Sequence, residues 1–373
     1  MLNKDQIDKI CEQINQSGFP LEHWTSSLLR AEGWSVSTNF YYIDSDDKKP
    51  REMDIVASLE THLKSFKVKT VLLISCKKSQ NYFWGFLRRP FPMENNRRNL
   101  FPTMITSKVP SVNYSLRNWG WQSDYCKFLA KNGLAKWFDV PRHDVFAHQQ
   151  IPTGNKGKLN DGDMHSATMQ LIKSQAYEMA GHHKGNVREV VQFNLISITD
   201  GDFLALNFDE GDLFKIEEIS EQVALTTYKI DNCDHDSRIL YLTKKSFSDD
   251  VSLFKKLHKL NINFFSNEDV KFLDGAIFDA EKRSVYINDF TTRAERVVLQ
   301  ETRSYRTPPY TAPRIHISLF IEAPNVPVVK IAAKDPEILE AARTPRVREK
   351  LARDLAFFWG HEGDFDVQTS TKW

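Results

Sequence analysis

The chain has little cysteine, no surplus of charge of either sign and no long apolar run. Its four cysteines, Cys11, Cys76, Cys126 and Cys233, stand far apart without a Cys-x-x-Cys pair, which argues against a disulfide framework or a zinc knuckle and suits a reducing compartment. Lys+Arg 50 against Asp+Glu 49 leaves a formal net charge of +1, so any basic surface that attracts nucleic acid has to be local. No stretch approaches the length of a membrane span, the start Met1-Leu2-Asn3-Lys4 lacks the apolar run of a secretory signal, and no repeat or low-complexity tract stands out. These absences lead to the expectation of a soluble, cytoplasmic protein that does not enter a membrane. What is present is ordinary for a globular chain: 373 residues, 41% hydrophobic and 27% charged, enough for one large or two ordinary domains.

The most informative stretch runs from Arg51 to Lys78. Arg51 to Leu59 and Thr70 to Lys78 both alternate as strands do, and the polar Glu60 to Ser65 is short enough to close an antiparallel hairpin. With a period of two, Glu52 and Asp54 share a face, as do Ser75 and Lys77. The hairpin would set two carboxylates beside an amine. A magnesium ion takes oxygen ligands and keeps several waters, so one or two carboxylates can hold it when phosphate supplies the rest, and a nearby ammonium can orient water or offset charge on phosphate. The bland alternative is a solvated surface hairpin.

A helix from about Pro20 to Glu32 precedes this hairpin, with proline at its start, Gly33 after its end and Glu22 beside its apolar stripe. Trp34 to Ile43 alternates as a first strand, and the acidic turn at 44–50 lacks the glycine and terminal glutamate of an EF-hand loop. Glu22, Asp54 and a strand ending Ile74-Ser75-Cys76-Lys77-Lys78 together resemble the core of the PD-(D/E)XK nuclease superfamily, in particular its restriction-endonuclease-like members, over residues 19–90. That resemblance implies an α/β fold with a mixed β-sheet core flanked by helices, and a metal-dependent nuclease acting on nucleic acid, DNA first, in restriction, repair or phage defence. It implies Mg2+ or Mn2+ held by Asp54 with Glu52 or Glu22, and Lys77 as the catalytic amine. One departure matters: the family places an acid or glutamine two residues before the lysine, and this chain has Ser75. Either Glu22 or Glu52 replaces that acid and Ser75 is a weak ligand or spectator, or the core is degenerate and binds nucleic acid without cleaving it.

Beyond the hairpin, Lys78, Arg88, Arg89, Arg97 and Arg98 are the candidate phosphate contacts, interleaved with Tyr82, Phe83, Trp84, Tyr114, Trp119 and Trp121. The prolines of this segment suggest an irregular, loop-rich insertion at about 80–160, inside a nuclease-like core of residues 1–185. Trp121 to Phe138 reads as a helix interrupted at Asn132-Gly133, Pro141 to Asn160 as a connector, and Asp161-Gly162-Asp163 as the cap of a helix ending at Gly181. His182 and His183 read as capping residues rather than metal ligands. Residues 186–373 are expected to form an α+β region whose strands either extend the first sheet through a helical crossover or build a separate small domain. There, Asp249 to Leu260 reads as an amphipathic helix, residues 270–278 and 284–287 as weak strands, and Asp335 to Trp359 as a terminal helix broken near Pro345, followed by a fraying tail. A homo-oligomer and a defence-system partner protein both stay open.

Overall fold

Asn3 accepts the Gln6 amide hydrogen and Gln6 answers to the Asn3 amide, a capping box that starts α1 (Lys4–Asn15). The computed structural model describes residues 2–44, 48–91, 99–154, 158–182, 187–208, 214–230, 233–303 and 314–372. After α1 come α2 (Phe19–Ala31), β1 (Ser35–Ile43), β2 (Pro50–His62), β3 (Lys67–Lys77), β4 (Tyr82–Pro90) and β5 (Ile105–Ser107). The short helices α3 (Pro110–Leu116), α4 (Trp121–Leu129) and α5 (Ala135–Phe138) follow, then β6 (His143–Pro152) and α6 (Gly162–His182). Next are β7 (Glu189–Thr199), β8 (Phe203–Asn207), β9 (Lys215–Ile219), β10 (Glu221–Ile230), β11 (Cys233–Thr243) and α7 (Lys244–Leu273). The chain continues through α8 (Ala280–Arg303), β12 (Ile315–Glu322), β13 (Val326–Ala333), α9 (Pro336–Ala342), α10 (Pro345–Trp359) and β14 (Asp366–Ser370). The result is a mixed α/β architecture in two units, Met1–Lys108 with Trp119–Phe264, and Val109–Asn118 with Phe265–Trp373.

In the first unit a seven-stranded sheet has the order β1-β2-β3-β7-β11-β10, with β5 also paired to β7. The β2–β3 hairpin is antiparallel, with Ile55 opposite Ile74 and Leu59 opposite Thr70, as the alternation predicts. β3 runs parallel to β7, so the chain between them has to cross over, and α6 lies within that crossover. Of the strands after residue 186, β7, β10 and β11 therefore extend the first sheet. The expected boundary at 185/186 is accordingly not where the units divide, because β7, β10 and β11 are hydrogen-bonded into the sheet that β1 to β3 begin.

Among its described residues, the expected loop-rich insertion at about 80–160 carries regular strands and helices instead. β4 and β6 pair in a second, four-stranded sheet of order β6-β4-β8-β9, and His143–Pro152 is a strand where a connector was expected. Trp84 and Phe86 alternate along β4 into a core shared with Phe203 and Tyr241, while Trp121 and Tyr125 are buried on α4. These rings are core residues and not stacking platforms; Trp119 is the fully exposed one. The break at Asn132-Gly133 is present, with Gly133 at φ +87°.

The opposite face of the large sheet carries a buried polar network. Asn261 Nδ2 donates to Thr70 Oγ1 at 2.8 Å, and the His258 ring pairs with Thr70 Oγ1 through Nδ1 at 2.9 Å and with Thr61 Oγ1 through Nε2 at 3.0 Å. Burial pushes the His258 pKa down, in keeping with a neutral ring. Tyr125 Oη reaches Asn261 Oδ1 at 2.5 Å and completes the set.

The first helix buries none of its residues, and Ile7, Ile10 and Ile14 are exposed. In the second unit, 270–278 and 284–287 belong to α7, the turn after it and α8, because their apolar residues serve helical faces rather than alternating ones. β12 and β13 pair antiparallel, and the tail expected to fray is β14, held parallel to β13. Phe290, Val298, Val329, Ile331, Leu351 and Trp359 form its core. The terminal helix is two helices, the second starting at Pro345 under a Thr344 cap.

The turn between β7 and β8 bears on the strand that ends at Lys77. Asp200 Oδ1 accepts the Ser79 amide hydrogen at 2.8 Å, and a Cβ on Gly201 would lie 2.5 Å from the Ser79 carbonyl oxygen and 3.1 Å from that of Tyr82. Gly201→Ala is therefore expected to destabilise the fold by about 1–3 kcal/mol, read as a lower melting temperature; an unchanged melting temperature would show that the turn yields freely.

Candidate active site

The β2–β3 ladder carries paired residues as far as Ile55 and Ile74, and the site is built just past that point. The Cys76 N–H donates to Asp54 Oδ2 at 2.6 Å, so a side-chain carboxylate takes the place of a ladder carbonyl. From α6, Gln170 Nε2 donates to Asp54 Oδ1 and to the Glu52 carbonyl, both at 2.7 Å, while its Oε1 accepts from Ser75 Oγ at 2.7 Å. Two acceptors facing one end of the amide fix its orientation, since the flipped amide would crowd three oxygens together. Ser75 Oγ also lies 3.4 Å from Asp54 Oδ2, but its one proton goes to the closer Gln170 oxygen. Each Asp54 oxygen thus takes one firm hydrogen bond and keeps a lone pair for another partner.

Glu22 enters from the first turn of α2, after Pro20. Burial pushes its pKa up to about 7, with the Asp54 and Glu52 charges adding to the rise and Lys77 opposing it. The four residues predicted to converge therefore act on one another electrostatically. Glu52, Asp54, Lys77 and Gln170 line a cleft of about 470 Å³, with Arg51 and Lys173 on its wall. Both cations also pair with the buried Asp44, Lys173 Nζ at 2.6 Å and Arg51 Nε at 3.3 Å. The Glu52 carboxylate accepts from Asn39 Nδ2 at 2.8 Å, so β1 holds it while β3 and α6 hold Asp54. Burial and the Asp54 charge push the Cys76 thiol well up, which keeps it neutral.

Among the described residues, no three His, Cys, Asp or Glu side chains gather closely enough to hold a metal ion on their own. Asp54, with a lone pair on each oxygen, and Glu22, raised by burial first and by the Asp54 and Glu52 charges after it, fit a hard cation that draws the rest of its shell from water and phosphate.

The proposed phosphate contacts fare differently. Arg88 is 8% exposed and donates to Asn207 Oδ1, Gln222 Oε1 and Glu217 Oε2 at 2.9 to 3.1 Å, holding strands of the second sheet and its neighbour. Arg89 pairs with the buried Asp144 at 3.0 Å and stacks on Phe146, and Lys78 donates to the Asn15 carbonyl. Arg88 is thereby buried in internal contacts, whereas Arg89, its side chain half exposed, and Lys78 stay at the surface beside their partners. Arg97 and Arg98 lie outside the described residues. His182 faces Glu189 at 3.3 Å and Thr106 at 3.2 Å rather than capping in solvent.

Gln170 is the site residue that sequence reasoning missed. Its signal was position: it follows Ala167 by three residues and adjoins Leu171 on a stripe that faces the sheet, where an uncharged polar side chain needs a partner. No helix is long and apolar enough to cross a membrane among the described residues. Comparison with protein-family models, with curated proteins and with solved structures finds no match to this chain.

Folded Glu22 keeps its proton up to about pH 7, whereas the unfolded chain releases it near the ordinary value of 4.5, so stability falls as pH rises between those values. Glu22→Gln is expected to melt close to the wild type at pH 4.5 and above it at pH 7.5, by on the order of 1 kcal/mol after solvent screening of a half-buried group. A pH-independent difference in melting temperature would contradict this. Arg88→Ala should lower stability by roughly 1–3 kcal/mol, since it strands the buried Gln222 oxygen; denaturant unfolding checks it.

Proposed function

We propose that the chain hydrolyses phosphodiester bonds of nucleic acid, DNA first, through a PD-(D/E)XK-like site in a restriction-endonuclease-like core. The observation that carries this reading is the meeting of Asp54 and Lys77 in one cleft, within the electrostatic reach of Glu22. Mg2+ or Mn2+ held by Asp54 and Glu22 would supply Lewis-acid stabilisation of the phosphate. Asp54 is the fixed ligand, its carboxylate held by the Cys76 amide and Gln170. Glu22 is part-buried beside the Asp54 and Glu52 charges, where a cation would relieve the like-charge repulsion. Lys77 orients the attacking water or offsets charge on the scissile phosphate, and Arg51 and Lys173 bring positive charge to the same wall. Glu52, turned toward Asn39, shapes the field and supplies its carbonyl to Gln170.

A second reading rests on a specific observation: Ser75 and Gln170 put two neutral groups where the family carries an acid. On that reading the core binds nucleic acid without cutting it.

Incubation with linear duplex DNA, single-stranded DNA and RNA, in Mg2+, Mn2+ or chelator, separates the two. The hydrolase reading expects metal-dependent cleavage that drops on the order of 10²–10³-fold in Lys77→Ala and in Asp54→Ala. Salt-sensitive binding with no cleavage in any metal would leave the second reading standing, and neither activity would remove both.

A further inference from the structure

We propose that Gln170 is a positioning residue that sets the cation affinity of the site by fixing the Asp54 carboxylate. This inference rests on the hydrolase reading and assigns a role to a residue of its own helix, far in sequence from the strands that carry the acids.

Both amide hydrogens of Gln170 are spent inward, on Asp54 Oδ1 and the Glu52 carbonyl, and its oxygen is satisfied by Ser75 Oγ. The side chain therefore makes three hydrogen bonds to β2 and β3 from one rotamer, all at 2.7 Å. Together with the Cys76 amide on Oδ2, it grips both oxygens of Asp54, so the plane of the carboxylate cannot turn. A carboxylate held this way presents the same lone pairs to the cleft at all times, and an ion that binds it does not have to order it first. Ser75 is part of the device: its hydroxyl is buried and orients the Gln170 amide, which gives a reason for serine at a position where an acid would repel Asp54.

A carboxylate at position 170 would behave in the opposite way. It would place an oxygen at about the same short distance from Asp54 Oδ1 with no proton between them, a like-charge contact that only a cation or a shared proton relieves.

The experiment uses the full chain and measures Mn2+ binding by electron paramagnetic resonance beside thermal melting in chelator, for the wild type, Gln170→Ala, Gln170→Met and Gln170→Glu. Methionine keeps most of the length and packing of glutamine without its donors, so it stands in should the alanine variant not fold. The expected result is a roughly 10- to 100-fold loss of Mn2+ affinity in the alanine and methionine variants. The glutamate variant should melt lower than wild type in chelator at pH 8 and recover with Mn2+. A purely structural role would lower the melting temperature while leaving Mn2+ affinity within about twofold of wild type, and that result overturns the inference without touching the hydrolase reading. A wild type that takes up no Mn2+ overturns the hydrolase reading, and the role of Gln170 falls with it.

Discussion

The parallel pairing of β3 with β7 is the constraint from which the first unit follows. Two parallel neighbours cannot be joined by a tight turn, so the chain that leaves Lys77 has to travel before it returns at Glu189. The outward leg builds β4 and β6 and so founds the second sheet, and the returning leg is α6. A helix that closes a crossover packs on the sheet it serves, and α6 buries Ala167, Leu171 and Ile172 against it. The same docking sets Gln170 over the point where β2 and β3 part. The carboxylate, the amine and the amide of the site are thus consequences of one ladder.

Much of the fold was legible in alternation. β1, β2 and the hairpin register carry a period of two, in which a one-residue slip would exchange the faces, whereas β3 and β7 are buried on both faces. Glu22, on α2, was picked out by the family resemblance, while Asp54 and Lys77 were legible by counting along their strands. The second sheet was not. Trp84 and Phe86 sit among arginines and prolines, and composition made them look like a basic loop although the two rings are also two apart. Gln170 was hidden because its meaning depends on which strand the helix covers, a tertiary fact that no spacing along α6 encodes. At 270–278 and 284–287 short apolar runs served either period, and length decided in favour of helices.

The basic segment holds a further lesson about counting charges. Arg88 and Arg89 are committed to Glu217 and Asp144, and Lys78 to a backbone carbonyl. Arg238 shows the extreme: 7% exposed, it donates to the carbonyls of Trp137, Asp139 and Leu100 and ties two stretches of chain to β11. Cations that look like a nucleic-acid surface in sequence can be the fasteners of a core, because a guanidinium with several donors satisfies carbonyls that no strand pairs.

The cleft draws on residues 52, 54, 77 and 170, and the strand that completes the parallel pair ends only at Thr199. Synthesis proceeds from the amino end, so the acids and the lysine leave the ribosome well before the helix that grips them. A growing chain at that stage has the hairpin without its cover, and Asp54 keeps the Cys76 amide but lacks the Gln170 half of its grip. The fixed carboxylate is therefore complete only once the crossover has emerged and docked, a delay written into chain order.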